Sequence, residues 1–236
     1  MITIKNLNKF YGRQHVLHDI NLQLEQGQCI GFVGPNGCGK TTLMKCILGL
    51  ATPQSGEVLV DGMNVQENPS YRRHIGFMPQ NSCFPENMSV GETFRTIRDV
   101  RKDSDNLDKE LYDAFEIEAI AGKKTKTLSG GTSQKVNAAL AFLFNPDILI
   151  LDEPTASLDP IAASILKDKI VREKNKLVFI TSHILSELEG IATHIIFMEE
   201  GHILFFKPVE QLLRETCQAN VSQAVMYYLK KSGKHQ

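Results

Sequence analysis

A glycine-rich segment, GPNGCGKT at 34–41, constrains the fold of this 236-residue chain more than any other stretch. It satisfies the pattern G-x-x-x-x-G-K-[ST], follows the apolar run CIGFV at 29–33 and opens a segment of helical character. Glycines let the backbone curl so that its amides converge on an anion, and a helix amino terminus favours negative charge. The segment therefore predicts a loop between a strand and a helix that binds the phosphates of a nucleoside triphosphate.

The last two residues of this motif add side-chain chemistry to the loop. Lys40 places a positive charge beside the phosphates, and the hydroxyl of Thr41 is a ligand for Mg²⁺. A glycine-rich turn that only joins a strand to a helix is the alternative, but such a turn requires neither the lysine nor the hydroxyl.

Several short apolar runs predict strands, and most of them are continuous rather than alternating. Strands that are buried on both faces have this character, and helical segments at 40–50, 160–173 and 184–191 fall between them. We therefore expect an α/β fold with a largely parallel sheet. The predicted strands are 29–33, 57–60, 74–78, 147–151, 177–181 and 194–198.

The middle and the end of the chain have a different pattern. From about 81 to 145 the helix-prone segments 90–101 and 107–120 lead into 132–144 with no clear strand between them, which predicts a helical lobe inserted into the sheet domain. After about Val209 the apolar spacing is helical again, so we expect one domain over 1–215 and a helical tail over 216–236.

A second chemical signal is DILILDEP at 147–154, where a buried strand ends in two adjacent carboxylates. Ligands of doubly wound sheets bind at this edge. We expect Asp152 to complete the Mg²⁺ site and Glu153 to polarise a water for attack on the γ-phosphate. An acidic pair that merely caps a strand before Pro154 is the alternative.

Other candidates are weak when taken one at a time. In LSGGT at 128–132 a serine and two glycines precede a helical stretch, and their donors could bind an anion, although a plain serine N-cap explains the segment as well. His183 follows a strand and would alone be an exposed or capping histidine. Tyr11 and Gln80 are unremarkable singly.

Charge and hydropathy exclude some function classes. Lys plus Arg is 26 against 27 for Asp plus Glu, so the net charge of -1 gives no field that favours nucleic acid. The amino terminus, MITIKNLNKF, lacks the apolar stretch of a signal peptide, and no 18 apolar residues run unbroken. We expect a cytoplasmic protein.

The order of these pieces along the chain resembles that of the ATP-binding subunit of ABC transporters, from about residue 2 to 215. Besides the loop and the single residues Tyr11, Gln80 and His183, the resemblance includes LSGGT, ILILDEP at 148–154 and SLDP at 157–160. It implies a P-loop NTPase fold of the ABC ATPase type, with a mainly parallel sheet, an antiparallel β element and an inserted helical lobe. It also implies ATP and Mg²⁺ as cofactors, a head-to-tail dimer with a second, identical subunit, and a separate permease that holds the chain at the inner face of the membrane.

The resemblance further assigns roles to single residues. Tyr11 would stack on adenine, Glu153 would be the general base and His183 would contact the γ-phosphate. Asp159 would communicate between the two sites of the dimer. The expected phosphate-loop contacts are Gly34, Pro35, Asn36, Gly37, Cys38, Gly39, Lys40, Thr41 and Thr42; the expected Mg²⁺ ligands are Thr41, Gln80 and Asp152; and Ser129, Gly130 and Gly131 would serve the partner's nucleotide.

The chain departs from the family pattern at Thr132, where the family usually has glutamine, and at Cys38, a position often filled by serine or alanine. More narrowly, YRRHIGFMPQ, FPENMSV and LSGGTSQKVNAALAFLF resemble the ATPase of nitrous-oxide-reductase maturation transporters, which pair with an ABC-2-type permease and serve copper-site assembly. Three alternatives stay open: the ATPase of an ABC-2-type drug, lipid or polysaccharide exporter, a non-transport ABC ATPase, and a slow nucleotide-dependent regulator. The segment at 81–92 is the expected permease contact.

Overall fold

The structure, a computed structural model, describes residues 1–82, 84–102 and 107–231, with the backbone alone for Lys231. It divides into two compact units. Unit 1 is Met1–Tyr71 together with Leu177–Gln236, and unit 2 is Arg72–Lys176. Cys83 of the expected permease contact, residues 103–106 of the expected lobe and residues 232–236 of the expected tail lie outside the described residues.

Ten strands and seven α-helices occupy most of the described chain. The strands are β1 (Ile2–Tyr11), β2 (Gln14–Leu24), β3 (Cys29–Val33), β4 (Ser55–Val60), β5 (Met63–Asn64), β6 (Ile75–Met78), β7 (Ile148–Asp152), β8 (Leu177–Thr181), β9 (His194–Glu199) and β10 (His202–Pro208). The helices are α1 (Lys40–Ile47), α2 (Val90–Arg101), α3 (Glu110–Ala114), α4 (Gly130–Phe142), α5 (Pro160–Arg172), α6 (Val209–Thr216) and α7 (Val221–Lys231). Short 3₁₀ helices lie at Pro69–His74, Ile117–Ile120, Thr125–Thr127 and Leu185–Leu188.

Unit 1 contains an antiparallel sheet and a mainly parallel one. The antiparallel sheet has the order β2-β1-β4-β5, and in the other sheet β3 lies between β9 and β8 and is parallel to both. Phe32 of β3 pairs with Thr181 of β8 and with Ile196 of β9, so the carboxyl ends of the three strands meet at one edge. These continuous apolar strands are buried on both faces, as their sequences predict.

Strands β1, β2 and β10 were not among the strands that the sequence runs predict. In β10 the register to β9 shifts between Ile203 and Phe205. In the ladder that joins β1 to β2 the register shifts between Ile4 and Leu7 and again between Leu7 and Lys9. Asn6 and Asp19 lie at these two shifts and have positive φ angles of 48° and 46°. Because a bulge moves the following side chains to the other face, the apolar residues lose their simple alternation.

Unit 2 pairs two parallel strands and adds helices. Met78 near the end of β6 pairs with Leu151 near the end of β7, so the residues that follow both strands lie at one edge. Helix α2 begins at a capping box in which Ser89 and Glu92 exchange hydrogen bonds, and α5 begins at Asp159, whose side chain accepts from the amide of Ala162 at 2.9 Å. The α/β prediction and the antiparallel element are confirmed.

Two predicted helices are wrong in extent. The helix expected over 184–191 is only the 3₁₀ turn Leu185–Leu188, because the hydroxyl of Ser182 accepts from the amide of Ile184 and Gly190 turns the chain at a φ of 73°. The segment at 107–120 is split into α3 and a 3₁₀ turn, because Glu116 adopts a φ of 51°.

The predicted domain bounds of 1–215, with a lobe at about 81–145 and a tail from 216, stay a prediction. Helices α6 and α7 fall where the apolar spacing after Val209 predicts them. Within the described ranges, none of the helices combines the length and the apolar character that crossing a bilayer requires.

Candidate functional site

The phosphate loop lies in unit 1, between the end of β3 and the start of α1. Gly37 and Gly39 have φ angles of 79° and 114°, a backbone conformation that residues with a side chain rarely adopt. At Gly34 the limit is space, because a Cβ there would lie 2.1 Å from the carbonyl oxygen of Met198. The loop therefore requires glycine at the positions that the motif specifies.

Lys40 holds its ammonium group against this loop. Its Nζ donates to the carbonyl oxygens of Gly34 at 2.6 Å and Pro35 at 3.0 Å. The first amides of α1 have no acceptor within the helix, and Gly39 at the N-cap has no side chain to supply one. A positive charge and several amide donors thus converge at a helix amino terminus, which is the chemistry of a phosphate site.

The remaining loop residues differ in exposure. Cys38 is buried, and its Sγ lies 3.8 Å from the Nζ of Lys40. Thr41 is exposed at the start of α1, and Thr42 is half-buried. A hydroxyl on the first turn is therefore accessible to a bound metal ion.

Tyr11 ends β1 with 49% of its side chain exposed. It pairs across the hairpin with Gln14, and the Nζ of Lys9 lies 4.8 Å from the centroid of its ring. An exposed aromatic face on a strand end can stack on a planar base.

His183 belongs to the same edge of unit 1, two residues after Thr181 ends β8. Its side chain is exposed, whereas the preceding Ser182 is buried and hydrogen-bonds to Ile184. A cavity of about 290 Å³ is lined by His183 and the loop residues Gly34, Pro35 and Asn36, and by Val225 and Leu229 of α7. The structure thus brings His183 to the phosphate loop. Sequence reasoning missed that the tail helix lines the same cavity, because its apolar spacing indicates only a buried face.

The acidic end of β7 lies in unit 2. Asp152 is the last residue of the strand and Glu153 follows it, and each is about 8% exposed. Glu153 has a φ of 50°, which is uncommon for a residue with a side chain. Its carbonyl oxygen accepts from the Nε2 of Gln134 at 3.4 Å. Gln80, two residues after Met78, lies at the same edge and is exposed.

The segment LSGGT starts helix α4. Ser129 is the N-cap, and its hydroxyl accepts from the amide of Thr132 at 3.3 Å and lies 2.9 Å from the Thr132 hydroxyl. A Cβ on Gly131 would lie 2.7 Å from the carbonyl oxygen of Ser157, whereas a Cβ on Gly130 would meet nothing closer than 3.8 Å. Thr132, which replaces the usual glutamine, thus bonds to the serine of its own segment.

Asp159 connects helices α4 and α5. One carboxylate oxygen accepts from Lys135 of α4 at 2.7 Å, and the other accepts from Ala162 at the start of α5. The hydrogen bond from Lys135, and next the one from the Ala162 amide, lowers the pKa of the Asp159 carboxyl. Asp159 is therefore ionised and oriented within the chain itself.

A comparison with known families covers the phosphate loop, Gln80, LSGGT and the acidic end of β7. The model of the ABC transporter family matches residues 17–156, more than half of the chain. The chain belongs to the ABC transporter family. Because ABC ATPases bind and hydrolyse ATP, this chain is an ATP-binding cassette with ATP hydrolase activity.

Relatives and solved structures agree with this membership. The ABC ATPase is 30% identical to the lipopolysaccharide export system ATP-binding protein LptB of Escherichia coli K12, over 91% of this chain and 93% of LptB. It is similar to a solved ATP-binding subunit of an ABC transporter with a TM-score of 0.89 at 25% identity, over 96% of this chain and 98% of that one. It is also similar to the dimeric cassette MJ0796 in a post-hydrolysis state with ADP and Pi, with a TM-score of 0.76 at 25% identity over 88% and 98% of the two chains.

Proposed function

We propose that this ABC ATPase energises a membrane transporter as half of a head-to-tail dimer that binds two ATP molecules between its subunits. The observation that carries the proposal is the position of Lys40, whose ammonium group lies against the phosphate-loop carbonyls beside the amides that begin α1. In this proposal residues 34–42 hold the phosphates and Tyr11 stacks on adenine. His183, which lines one cavity with the loop, contacts the γ-phosphate.

The hydrolytic half of the proposal rests on unit 2. Glu153 acts as the general base that orients and deprotonates the attacking water, because it is a buried carboxylate directly after the end of β7, in an uncommon backbone conformation. Gln80 lies at the same edge as the acidic pair, where it can contact the water and the metal ion. Phosphoryl transfer needs positioning and charge neutralisation rather than covalent help, and these groups supply both.

Mg²⁺ fits the donors that are present. Thr41, Gln80 and Asp152 offer a hydroxyl, an amide oxygen and a carboxylate, which are the hard oxygen ligands that Mg²⁺ prefers. Mg²⁺ is commonly held by one or two carboxylates and the substrate phosphates. The described residues contain no cluster of three His, Cys, Asp or Glu that could hold a metal alone. When bound, the ion neutralises charge that develops on the phosphates.

The second subunit would use the segment LSGGT. We propose that Ser129, Gly130 and Gly131 donate to the γ-phosphate held by the partner, and that Asp159 couples the two sites. The dimeric state of the MJ0796 cassette supports a dimer of this chain. The bond between Ser129 and Thr132 keeps the serine hydroxyl at the helix start, beside the amides that could donate to an anion.

The permease partner is proposed to be of the ABC-2 type and to hold the subunit at the cytoplasmic face of the membrane, in contact with residues around 81–92. The segments YRRHIGFMPQ and FPENMSV resemble those of the ATPase of nitrous-oxide-reductase maturation transporters. This resemblance supports the assembly of a copper site as the pathway. Similarity to the lipopolysaccharide export protein supports an exporter of lipid or polysaccharide as the second candidate.

Two substitutions test the ATPase assignment. We expect Glu153→Gln to retain ATP binding and to lower kcat by about 10²-fold or more, because the general base is lost. It should also accumulate an ATP-stabilised dimer in size-exclusion chromatography. Lys40→Ala should instead weaken ATP binding itself. The control is Glu67→Gln, at an exposed carboxylate outside these segments. A Glu153→Gln protein with wild-type turnover would refute the base assignment.

The partner is tested by capture. The Glu153→Gln protein would be isolated from the membranes of its own cells in ATP, and co-purifying proteins identified by mass spectrometry. An ABC-2-type permease with periplasmic copper-enzyme maturation proteins supports the copper pathway, and the same permease type with lipid-export components supports the second candidate. Ribosomal or DNA-repair proteins without any membrane protein would overturn the transport proposal.

A further inference from the structure

Four polar side chains of unit 2 form one continuous set of hydrogen bonds, here called the buried polar network after its two buried amides: the half-buried Ser82 and Ser133 and the buried Gln134 and Asn137. The Ser133 hydroxyl donates to the Ser82 hydroxyl at 2.6 Å. The Nδ2 of Asn137 donates to the Ser82 hydroxyl at 2.8 Å and to the Oε1 of Gln134 at 3.1 Å. The Nε2 of Gln134 then donates to the carbonyl oxygen of Glu153 at 3.4 Å. The network thus joins three segments that are distant in sequence.

The two amides of the network are deeply buried. Gln134 and Asn137 are each 3% exposed, and their buried neighbours on α4, Val136, Ala138 and Ala139, are apolar. A buried amide is costly unless it is hydrogen-bonded, and an apolar residue would fill the same space without that cost. Packing alone therefore does not account for these two residues.

The bonds also fix how each amide is oriented. An amide NH₂ group has two donors, and Asn137 directs one to Ser82 and one to Gln134. Because Asn137 occupies the amide oxygen of Gln134, the NH₂ group of Gln134 faces Glu153. A flip of Asn137 would place its amide oxygen against the amide oxygen of Gln134, and a flip of Gln134 would place its NH₂ group against that of Asn137, so the network has one orientation.

Both ends of the network reach proposed catalytic groups. Ser82 lies two residues after Gln80, and the last acceptor is the backbone of Glu153, whose φ of 50° departs from the usual regions. Such a conformation persists when the surroundings hold it. The bond from Gln134 acts on the peptide that sets the direction of the Glu153 side chain.

We propose that Gln134 and Asn137 are positioning residues for hydrolysis, holding the loop of Gln80 and the peptide of Glu153 in register with α4, the helix that starts in LSGGT. The inference rests on the proposed roles of Glu153 and Gln80. Neither amide touches substrate or moves a proton. Their contribution is the alignment of base, water and phosphate, to which the hydrolysis rate is sensitive.

The test is a double-mutant cycle on the full chain with Asn137→Ala, Ser82→Ala and the double variant, each assayed for kcat, ATP affinity and unfolding temperature. We expect Asn137→Ala to lower kcat by about tenfold while ATP affinity stays within about twofold, because the phosphate loop is untouched. Since both changes break one network, the double variant should be no slower than Asn137→Ala.

Ala139→Gly is the matched control, because it weakens the same buried helix without touching the network. The inference is overturned if Asn137→Ala loses no more kcat than Ala139→Gly, or if the effects of Ser82→Ala and Asn137→Ala multiply independently. If Asn137→Ala does not fold, the kcat of Ser82→Ala compared with that of Ala139→Gly decides, because Ser82→Ala removes only one hydroxyl from a loop. A parallel Glu153→Gln assay separates the failures: if it keeps wild-type turnover, the base assignment fails instead of the network.

Discussion

The phosphate loop of unit 1 is built from backbone, whereas the acidic end of β7 and the start of α5 in unit 2 are held by hydrogen bonds and ion pairs that side chains of α4 make. In the loop, glycine positions are dictated by φ angles and by the close approach of Met198 to Gly34. In unit 2, Gln134 donates to the Glu153 peptide and Lys135 to Asp159. A Cβ added at Gly34 would force the loop to move, whereas one side-chain hydrogen bond of unit 2 can be lost while the others remain.

The largest effect should come from Gly34→Ala. Its Cβ would lie 2.1 Å from a backbone carbonyl oxygen, so the loop must move, and we expect ATP binding to be lost. Isothermal titration with ATP checks this. Gly62→Ala is the control, since Gly62 also has a positive φ of 77° but a Cβ there meets nothing within 4 Å. Wild-type ATP affinity in Gly34→Ala would break the comparison.

Lys169→Met tests how much the side-chain bonds of unit 2 contribute to the free energy of unfolding. The Nζ of Lys169 lies 2.6 Å from Asp108, 3.1 Å from Glu110 and 2.8 Å from Glu173, and the lysine is 7% exposed. Its removal leaves three carboxylates without their shared cation, so we expect the free energy of unfolding to fall by about 3 kcal/mol. Urea unfolding measures it, with Lys167→Met on the same helix as the control, which should stay close to wild type.

The same variant carries a pH signature. Burial raises the pKa of the Glu173 carboxyl, but hydrogen bonds from Lys169 and Lys176 outweigh burial and hold the pKa below its ordinary value of 4.5. A lowered folded-state pKa stabilises the fold above about pH 4.5 and loses that contribution as pH falls below it. The stability difference between Lys169→Met and wild type should therefore shrink as pH falls below about 4.5. A difference that grows with acidity would contradict the ion-pair account.

The smallest effect sharpens the comparison within unit 2. Gly131→Ala would place a Cβ 2.7 Å from the carbonyl oxygen of Ser157, whereas Gly130→Ala would meet nothing closer than 3.8 Å. We expect Gly131→Ala to lower the free energy of unfolding by about 1 to 2 kcal/mol, as overpacking does, and Gly130→Ala to leave it nearly unchanged. Thermal unfolding of both variants decides; equal losses would show that the close contact is not the cause.

Much of the fold was predictable because the central strands are continuous apolar runs. Continuous apolar runs such as 29–33 and 177–181 became β3 and β8 with the predicted bounds. Strands β1 and β2 were not predicted, because their bulges near Asn6 and Asp19 disturb the alternation that reveals a half-buried strand. The helix expected over 184–191 failed because Ser182 and Gly190 use local bonds and turns that apolar spacing does not record.

The candidate site divides in the same way. The phosphate loop could be inferred from eight consecutive residues, because its conformation depends on glycine φ angles and on a lysine that bonds within its own loop. The role of α7 beside His183 could not be inferred, because its apolar residues look like any buried helix face. Nothing in the residue types Ser82, Gln134 and Asn137 singles them out.

The sequence by itself determined the nucleotide chemistry of this ABC ATPase, since the phosphate loop, the acidic strand end and LSGGT are short and their functions depend on local backbone and residue type. Only the tertiary structure decided what holds Glu153, the proposed base, and the Gln80 loop in place. The buried polar network joins residues as far apart as Ser82 and Asn137, and hydrogen bonds over such separations depend on how α4 packs. Packing is a property of the whole unit, and no short pattern encodes it.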